Sequence, residues 1–426
     1  MGKKKGISRR AFLAASASAV VTPMILPQGV LAAPGRPGAN DRIVTGHIGV
    51  GGRGSTHVNA LKNQIAAVCD VDDDHIAKAK KIIGRDVDSY KDFRKLLDRK
   101  DIDAVVLAPP DHWHAIMTVM ACEAGKDVYC EKPACKTFEE SKKMVEAARR
   151  YGRVVQVGSQ GRSNANAFMA CQYLRNGQIG KVDYIDIWHV DNWVGGDPNK
   201  FGPPPANLDW DMWLGPSHYR PYNSDYVHFN FRWMMDWGQG FVRDRGAHVM
   251  SLVHWFLNME QAYPKRITAS GTPQKEGLWD VPVTFEARWE YEDPKLTVSW
   301  KQPGTPAWEH DFGAVYYGRK GNLIVPGGDG WTDVEEKAKK YTPPPNGIHP
   351  YKSPGHREDW LNCIKTRKRP IMDIEYGCHV ANIVNFSVLS YIVNRPLEWD
   401  AENEQFVDDD EANRLLSSPG RGIWQI

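Results

Sequence analysis

The chain has 426 residues, 42% hydrophobic and 25% charged, with 54 Lys and Arg against 52 Asp and Glu. That length exceeds a single small core and sets two folded domains as the expectation. The near-neutral balance leaves no basic patch for nucleic acid or an anionic membrane.

Residues 1–32 read as a targeting segment. Lys3, Lys4, Lys5, Arg9 and Arg10 precede Phe12-Leu13 and an alanine-rich apolar run that ends at Val30-Leu31-Ala32. Paired arginines before Phe-Leu resemble a twin-arginine export signal, and the small residues suit cleavage near Ala32. Pro23 and Pro27 interrupt the run and argue against a membrane-spanning helix. No cysteine precedes Cys69, which argues against a lipid anchor. The expected destination is the periplasm or another exported compartment, with no membrane association after cleavage. Removing these five basic residues leaves 49 against 52, a mature charge near −3. The seven cysteines are odd in number and lack metal spacing, so buried reduced thiols are expected and no metal site.

Residues 33–42 form a polar Pro/Gly linker, and from 43 to 160 strands and helices alternate. A short apolar stretch runs into Gly49-x-Gly51-x-x-Gly54, through Gly52 and Arg53, and helical spacing follows over Ser55–Asn63. Ile65–Cys69 is the next strand and ends on Asp70. Glycines let a backbone approach a pyrophosphate, the helix N-terminus faces it, and an acid about 20 residues on holds ribose hydroxyls. Asp70 favours NAD over NADP, because a carboxylate repels a 2′-phosphate. His75–Ile83, Tyr90–Asp98, Ala115–Ala124 and Phe138–Tyr151 carry helical spacing. Ala104–Ala108, Asp127–Cys130 and Val154–Val157 are apolar strand runs. The alternation predicts an α/β Rossmann domain with a parallel sheet, whose ligand lies beyond the strand carboxyl ends. Gly49–Gly54, Asp70, Pro109–His114 and Glu131–Pro133 all fall at such ends.

Residues 161–426 read as an α+β substrate domain. Loops rich in Trp, Asn, Pro and Asp (191–239) precede a helix at Ala247–Leu257. Strand-like runs follow at 265–271, 282–291, 295–302, 312–317 and 321–325, which predicts a large, open, mainly antiparallel sheet. Helical spacing returns at 355–365 and 376–394, where the helices are expected to pack back near the first domain. The many tryptophans stack on sugars or fill a core, and either use fits their rings.

Four segments carry a family resemblance: Gly49–Gly54, Pro109-Pro110-Asp111-His112-Trp113-His114, Glu131-Lys132-Pro133, and Asp244-x-x-x-His248. In this order they resemble the Gfo/Idh/MocA oxidoreductases. Trp210-Asp-Met-Trp-Leu-Gly-Pro216 and Arg367-Lys-Arg-Pro370 resemble the exported, sugar-associated members. The resemblance implies a nicotinamide cofactor, hydride transfer at a sugar or polyol carbon, and a cis peptide before Pro133. It places Pro109, His112 and His114 along the nicotinamide, with His114 in a structural role at the helix start, and Glu131 on the nicotinamide ribose. Lys132, Asp244 and His248 form the acid/base group; apart from the resemblance, the same residues read as a solvated lysine, a capping aspartate and a core histidine. Burial of Lys132 is expected to lower its pKa towards acid/base use. Gln160 belongs with the cofactor residues, and Arg162, Asp191, Trp193 and Arg232 are further substrate candidates. Ser251 departs from the family pattern, which carries an Asp three residues after the histidine.

An exported enzyme has no cytoplasmic pool from which to replace spent NAD, so the cofactor is expected to stay bound. The leading expectation is an NAD-dependent oxidoreductase acting on a sugar, polyol or glycoside hydroxyl, in a homo-oligomer. Two alternatives stand beside it. One is a redox-neutral, NAD-dependent glycosidase that oxidises, eliminates, hydrates and re-reduces. The other is a non-catalytic NAD-containing sugar-binding protein.

Overall fold

The computed structural model describes residues 42–190 and 193–426, so the signal segment and Asp191 lie outside the described residues. Six short strands form the first sheet: β1 (Thr45–Ile48), β2 (Ile65–Cys69), β3 (Asp88–Tyr90), β4 (Ala104–Leu107), β5 (Asp127–Cys130) and β6 (Val155–Val157). All neighbours are parallel, in the order β3-β2-β1-β4-β5-β6. This is the doubly wound Rossmann arrangement, and its order reverses between β1 and β4. β1, β4, β5 and β6 are buried throughout, and β4 (Ala-Val-Val-Leu) shows this in the sequence as an unbroken apolar run.

The second sheet has eight strands, ordered β12-β11-β7-β10-β9-β8-β13-β14. They are β7 (Val182–His189), β8 (Arg266–Thr272), β9 (Thr284–Tyr291), β10 (Leu296–Gln302), β11 (Phe312–Gly318), β12 (Gly321–Pro326), β13 (Leu397–Asp400) and β14 (Gln405–Phe406). Its pairs are antiparallel except β7 with β10, so the sheet is mixed and mostly antiparallel. In β9, Phe285, Ala287, Trp289 and Tyr291 point inward while Glu286 and Arg288 face solvent, the period-two pattern of a half-covered sheet. The inner face packs on helix Ile374–Val393, and Trp289 Nε1 donates to Ile383 O at 2.9 Å. That helix is long and apolar enough to cross a membrane, yet it is core here, with 83% of its most apolar window buried.

Three local readings change. Residues 90–98 are not one helix: Tyr90 ends β3, and Asp92 caps a separate helix Phe93–Leu97 by accepting from Arg94 N–H. β7 and the helix Ala165–Arg175 escape sequence reading. The four-residue spacing of Asp244 and His248 predicts one shared helix face, but Phe241–Asp244 and Gly246–Leu257 are separate helices meeting at Arg245.

Candidate active site

A cavity of about 560 Å³ opens at the point where the first sheet reverses its order. It runs along the glycine loop from Asp70 and His75 to Lys132, Asp244 and His248. Each glycine of the loop has a distinct physical task. Gly49 has φ +76°, and a Cβ there would lie 2.5 Å from Pro109 N. A Cβ on Gly54 would stand 1.9 Å from Gly49 O, so Gly54 acts by close helix–strand packing and not by lining the cavity. Gly51 and Gly52 do line it, and nothing lies within 4 Å of a Cβ on Gly52. Helix Gly52–Leu61 begins there and presents its N-terminal N–H groups.

Asp70, at the end of β2, is held by Val50 N–H at 2.8 Å, Asp72 N–H at 3.0 Å and His75 Nδ1 at 3.3 Å. A carboxylate has about four acceptor positions, so capacity for a ribose hydroxyl remains. The loop from the second half of the chain closes this end: His228 Nε2 lies 2.8 Å from Asp72 Oδ2. Asp72, His75 and His228 place ligand-type atoms within 4.8 Å of one another, the one such group among the described residues. His228 is already paired with Asp72 and His75 with Asp70, so the group is a clasp between the two halves.

Glu131 follows β5 and lines the middle of the cavity. Its Oε1 faces His57 Nε2 at 2.7 Å, Gln160 Nε2 at 2.7 Å and Arg53 Nε at 3.4 Å. Burial opposes its charge, but His57, Arg53 and Lys132 hold the carboxyl well below the usual carboxylate range. Gln160, expected on the cofactor, does not line the cavity; its amide is committed to Tyr129 OH and Glu131.

At the far end Lys132 Nζ lies 2.5 Å from Asp244 Oδ1 and 2.9 Å from Asp244 O. The Lys132–Pro133 peptide is cis. Arg232 Nε also donates to Asp244 Oδ1, at 3.2 Å. Burial works against the Asp244 charge, but Lys132, Arg232 and Arg245 outweigh it and hold the carboxyl far below its ordinary value. His248 is buried against this group, and burial together with the Lys132 charge keeps its imidazole neutral well below its ordinary pKa. The cavity thus combines a cation, a fixed carboxylate and a neutral base at one end with a glycine cradle and a ribose-type acid at the other. The residues present fit a dinucleotide lying along the loop with its reacting ring beside Lys132 and His248.

Other candidates are placed differently. His112 is turned away from the cavity: its Nε2 pairs with Trp213 O at 3.0 Å, among Trp113, Trp213 and Trp237. His114 lines the cavity at a helix start, with Nδ1 2.7 Å from Pro133 O and Nε2 3.1 Å from Pro109 O. Arg162 is not a substrate residue. It is 1% exposed and holds Glu260 through two 2.8 Å contacts and Ser251 Oγ at 2.8 Å. Ser251 is therefore part of that buried lock, because Arg162 leaves it facing the core. Trp193 does not line the cavity; it is half exposed, 5.5 Å between ring centres from Phe229, which does. Trp210, Trp213 and Trp237 form a buried aromatic core, so packing claims Trp210 and Trp237, while Trp213 also lines the cavity. All seven cysteines are buried and free. His57 and Arg357, which complete the Glu131 network, went unnoticed in the sequence; His57 lies three residues beyond Gly54, inside a helix where a polar core residue leaves no signature.

Residues 43–159 match the profile of the oxidoreductase family, NAD-binding Rossmann fold, and residues 178–426 match that of the oxidoreductase family, C-terminal alpha/beta domain. Levoglucosan dehydrogenase of Pseudarthrobacter phenanthrenivorans is 36% identical over 112 residues, covering 26% of this chain and 28% of that protein. Inositol 2-dehydrogenase of Salmonella typhimurium is 24% identical over 289 residues, covering 63% of this chain and 83% of the relative. The WlbA dehydrogenase of Bordetella pertussis, solved with NADH and UDP-GlcNAcA, superposes with a TM-score of 0.62 at 19% identity, over 84% of this chain and 99% of that one. Both halves of the chain, and the crevice between them, are those of a Gfo/Idh/MocA family oxidoreductase that uses NAD.

Proposed function

We propose that the protein is an exported dehydrogenase that oxidises a secondary hydroxyl of a sugar or cyclic polyol and keeps its NAD bound between turnovers, the NADH formed being reoxidised in place by hydride transfer to a second carbonyl compound. The observation that carries this reading is the meeting of Lys132, Asp244 and His248 at one end of the cavity. Bound NAD supplies the hydride acceptor. Asp70 accepts from the adenosine ribose, Glu131 from the nicotinamide ribose, and the N–H groups after Gly51 face the pyrophosphate. Lys132, held by Asp244, donates a hydrogen bond to the substrate oxygen and fixes it. Neutral His248 takes the hydroxyl proton as the carbon gives up hydride. Arg232 steadies Asp244 and borders the substrate space. The names of the relatives, levoglucosan and inositol dehydrogenases, support a cyclic polyol substrate.

The test is to incubate purified mature protein with levoglucosan, myo-inositol, D-glucose and aryl glycosides, with and without added NAD. NADH formation with a cyclic polyol and no aglycone release supports the dehydrogenase. Aglycone release without net NADH replaces it with the redox-neutral glycosidase, and dinucleotide binding without either reaction replaces it with a sensor. Export is part of the same proposal, and rests on Arg9-Arg10 before the apolar run. N-terminal sequencing of secreted protein is expected to begin near Ala33, and retention of Met1 would remove this part. We further infer a homo-oligomer, which sedimentation checks.

A further inference from the structure

Helix His356–Thr366 belongs to the C-terminal half of the chain, yet its second residue reaches His57, which stands behind the cavity-lining Glu131. Arg357 Nε donates to His57 Nδ1 at 2.9 Å, and His57 Nε2 lies 2.7 Å from Glu131 Oε1. A guanidinium has donors only, so Nδ1 must accept and the single ring proton must sit on Nε2, from which it is given to Glu131. His57 is fully buried, and burial with the Arg357 and Arg53 charges favours that neutral ring over the charge-stabilising pull of Glu131. Gln160 and Arg53 crowd the same Oε1. Behind the carboxyl, Gly158 leaves the room the group occupies, since a Cβ there would stand 2.7 Å from it. Oε1 is thus saturated with three donors, while Oε2 receives only Lys132 N–H at 3.3 Å.

We propose that Arg357 and His57 are positioning residues for the cofactor: through this directed pair of hydrogen bonds the C-terminal half turns the less engaged Glu131 oxygen, Oε2, towards the hydroxyls of the nicotinamide ribose. The inference rests on the reading of Glu131 as the ribose ligand. It makes dinucleotide affinity depend on a residue some 300 positions from the glycine loop. The polarity is the distinctive feature. A glutamine at 57 can accept from Arg357 and donate to Glu131, whereas leucine does neither.

The experiment measures NAD and ADP affinity of the full mature chain by calorimetry for His57→Gln, His57→Leu and Arg357→Leu, with Glu131→Gln as background. ADP reports the Asp70 end alone. His57→Gln is expected to bind NAD within about threefold of the parent, whereas Arg357→Leu and His57→Leu lose roughly tenfold or more while keeping ADP affinity. In the Glu131→Gln background Arg357→Leu is expected to add little. NAD affinity unchanged in Arg357→Leu overturns the proposal, as does equal loss of NAD and ADP. A partly exposed Arg357 makes that variant the safer one to fold should His57→Leu fail. A parent protein that binds ADP but not NAD would refute the ribose reading of Glu131 itself, a different result from any of these.

Discussion

Lys132 Nζ and Asp244 Oδ1 lie 2.5 Å apart although 112 residues separate them in the chain. The pair is only slightly exposed, 12% and 13% for the two side chains, so each charge depends on its partner for compensation. Lys132→Ala removes the cation that faces the reacting hydroxyl, and Asp244 keeps Arg232 and Arg245 as neighbours. The expected outcome is a fall in turnover of about 10²–10⁴-fold with NAD still bound. Turnover at the parent rate would overturn the catalytic assignment.

Asp70 has two jobs, which two substitutions separate. Asp70→Ala removes the acceptor from Val50 and Asp72 N–H groups as well as from a ribose, so both NAD affinity and melting temperature should fall. Asp70→Asn retains one acceptor oxygen; it should keep most stability, weaken NAD about tenfold or more, and narrow the preference over NADP. Equal NAD affinity across parent and both variants would contradict the ribose role.

The glycine loop separates packing from ligand contact. Gly54→Ala drives a methyl group against Gly49 O, whereas Gly52→Ala meets no protein atom within 4 Å. Thermal melts should show a clear loss for Gly54→Ala without ligand, and near-parent melting for Gly52→Ala with reduced stabilisation by NAD. A Gly54→Ala variant as stable as the parent would show that the loop relaxes freely.

Arg162 and Arg232 should respond in opposite ways. Removing Arg162 leaves Glu260 and the Ser251 carbonyl without their buried donor, at a cost of about 3–5 kcal/mol in stability. Arg232→Ala touches a residue beside the cavity, and its effect should appear in kcat/KM with little change in melting. Kinetic loss in a normally stable Arg162→Ala would reverse the two roles.

Burial holds five core histidines neutral: His254 and His356 are lowered to about 4, and His47, His112 and His379 to about 3. Their folded values lie below the ordinary 6.5, so between these limits the unfolded chain binds more protons. Their contribution to stability is complete above pH ~6.5 and falls on acidification, by about 1.4 kcal/mol per pH unit for each such proton. Glu131 and Asp244, held below their ordinary range, add to the loss below pH ~4. Melting temperature should therefore drop steadily from pH 6.5 to 5; a flat profile there would contradict the neutral assignment.

Parallel strands buried on both faces appear as continuous apolar runs, and a dinucleotide loop is a local glycine pattern beside its own helix. For that reason β1, β2, β4, β5 and β6, the crevice and the Asp70 position could all be read along the chain. β3 could not, because Asp88-Ser89-Tyr90 is a short polar edge strand. β7 went unread because its alternation is broken by Asp183 and Asp186 and its parallel partner β10 lies more than 100 residues further on. The same distance separates side chains from their tasks. Gln160, Arg162 and His112 look like site residues in sequence, but their polar atoms are claimed by Glu131, Glu260 and the Trp213 carbonyl. Residue type and short spacing therefore determined the fold of the first half and the chemistry available at the strand ends. Which long polar side chains face the cavity, and that Arg357 reaches His57 at all, was decided only when the two halves packed, because a hydrogen bond depends on where its partner ends up and not on its distance along the chain.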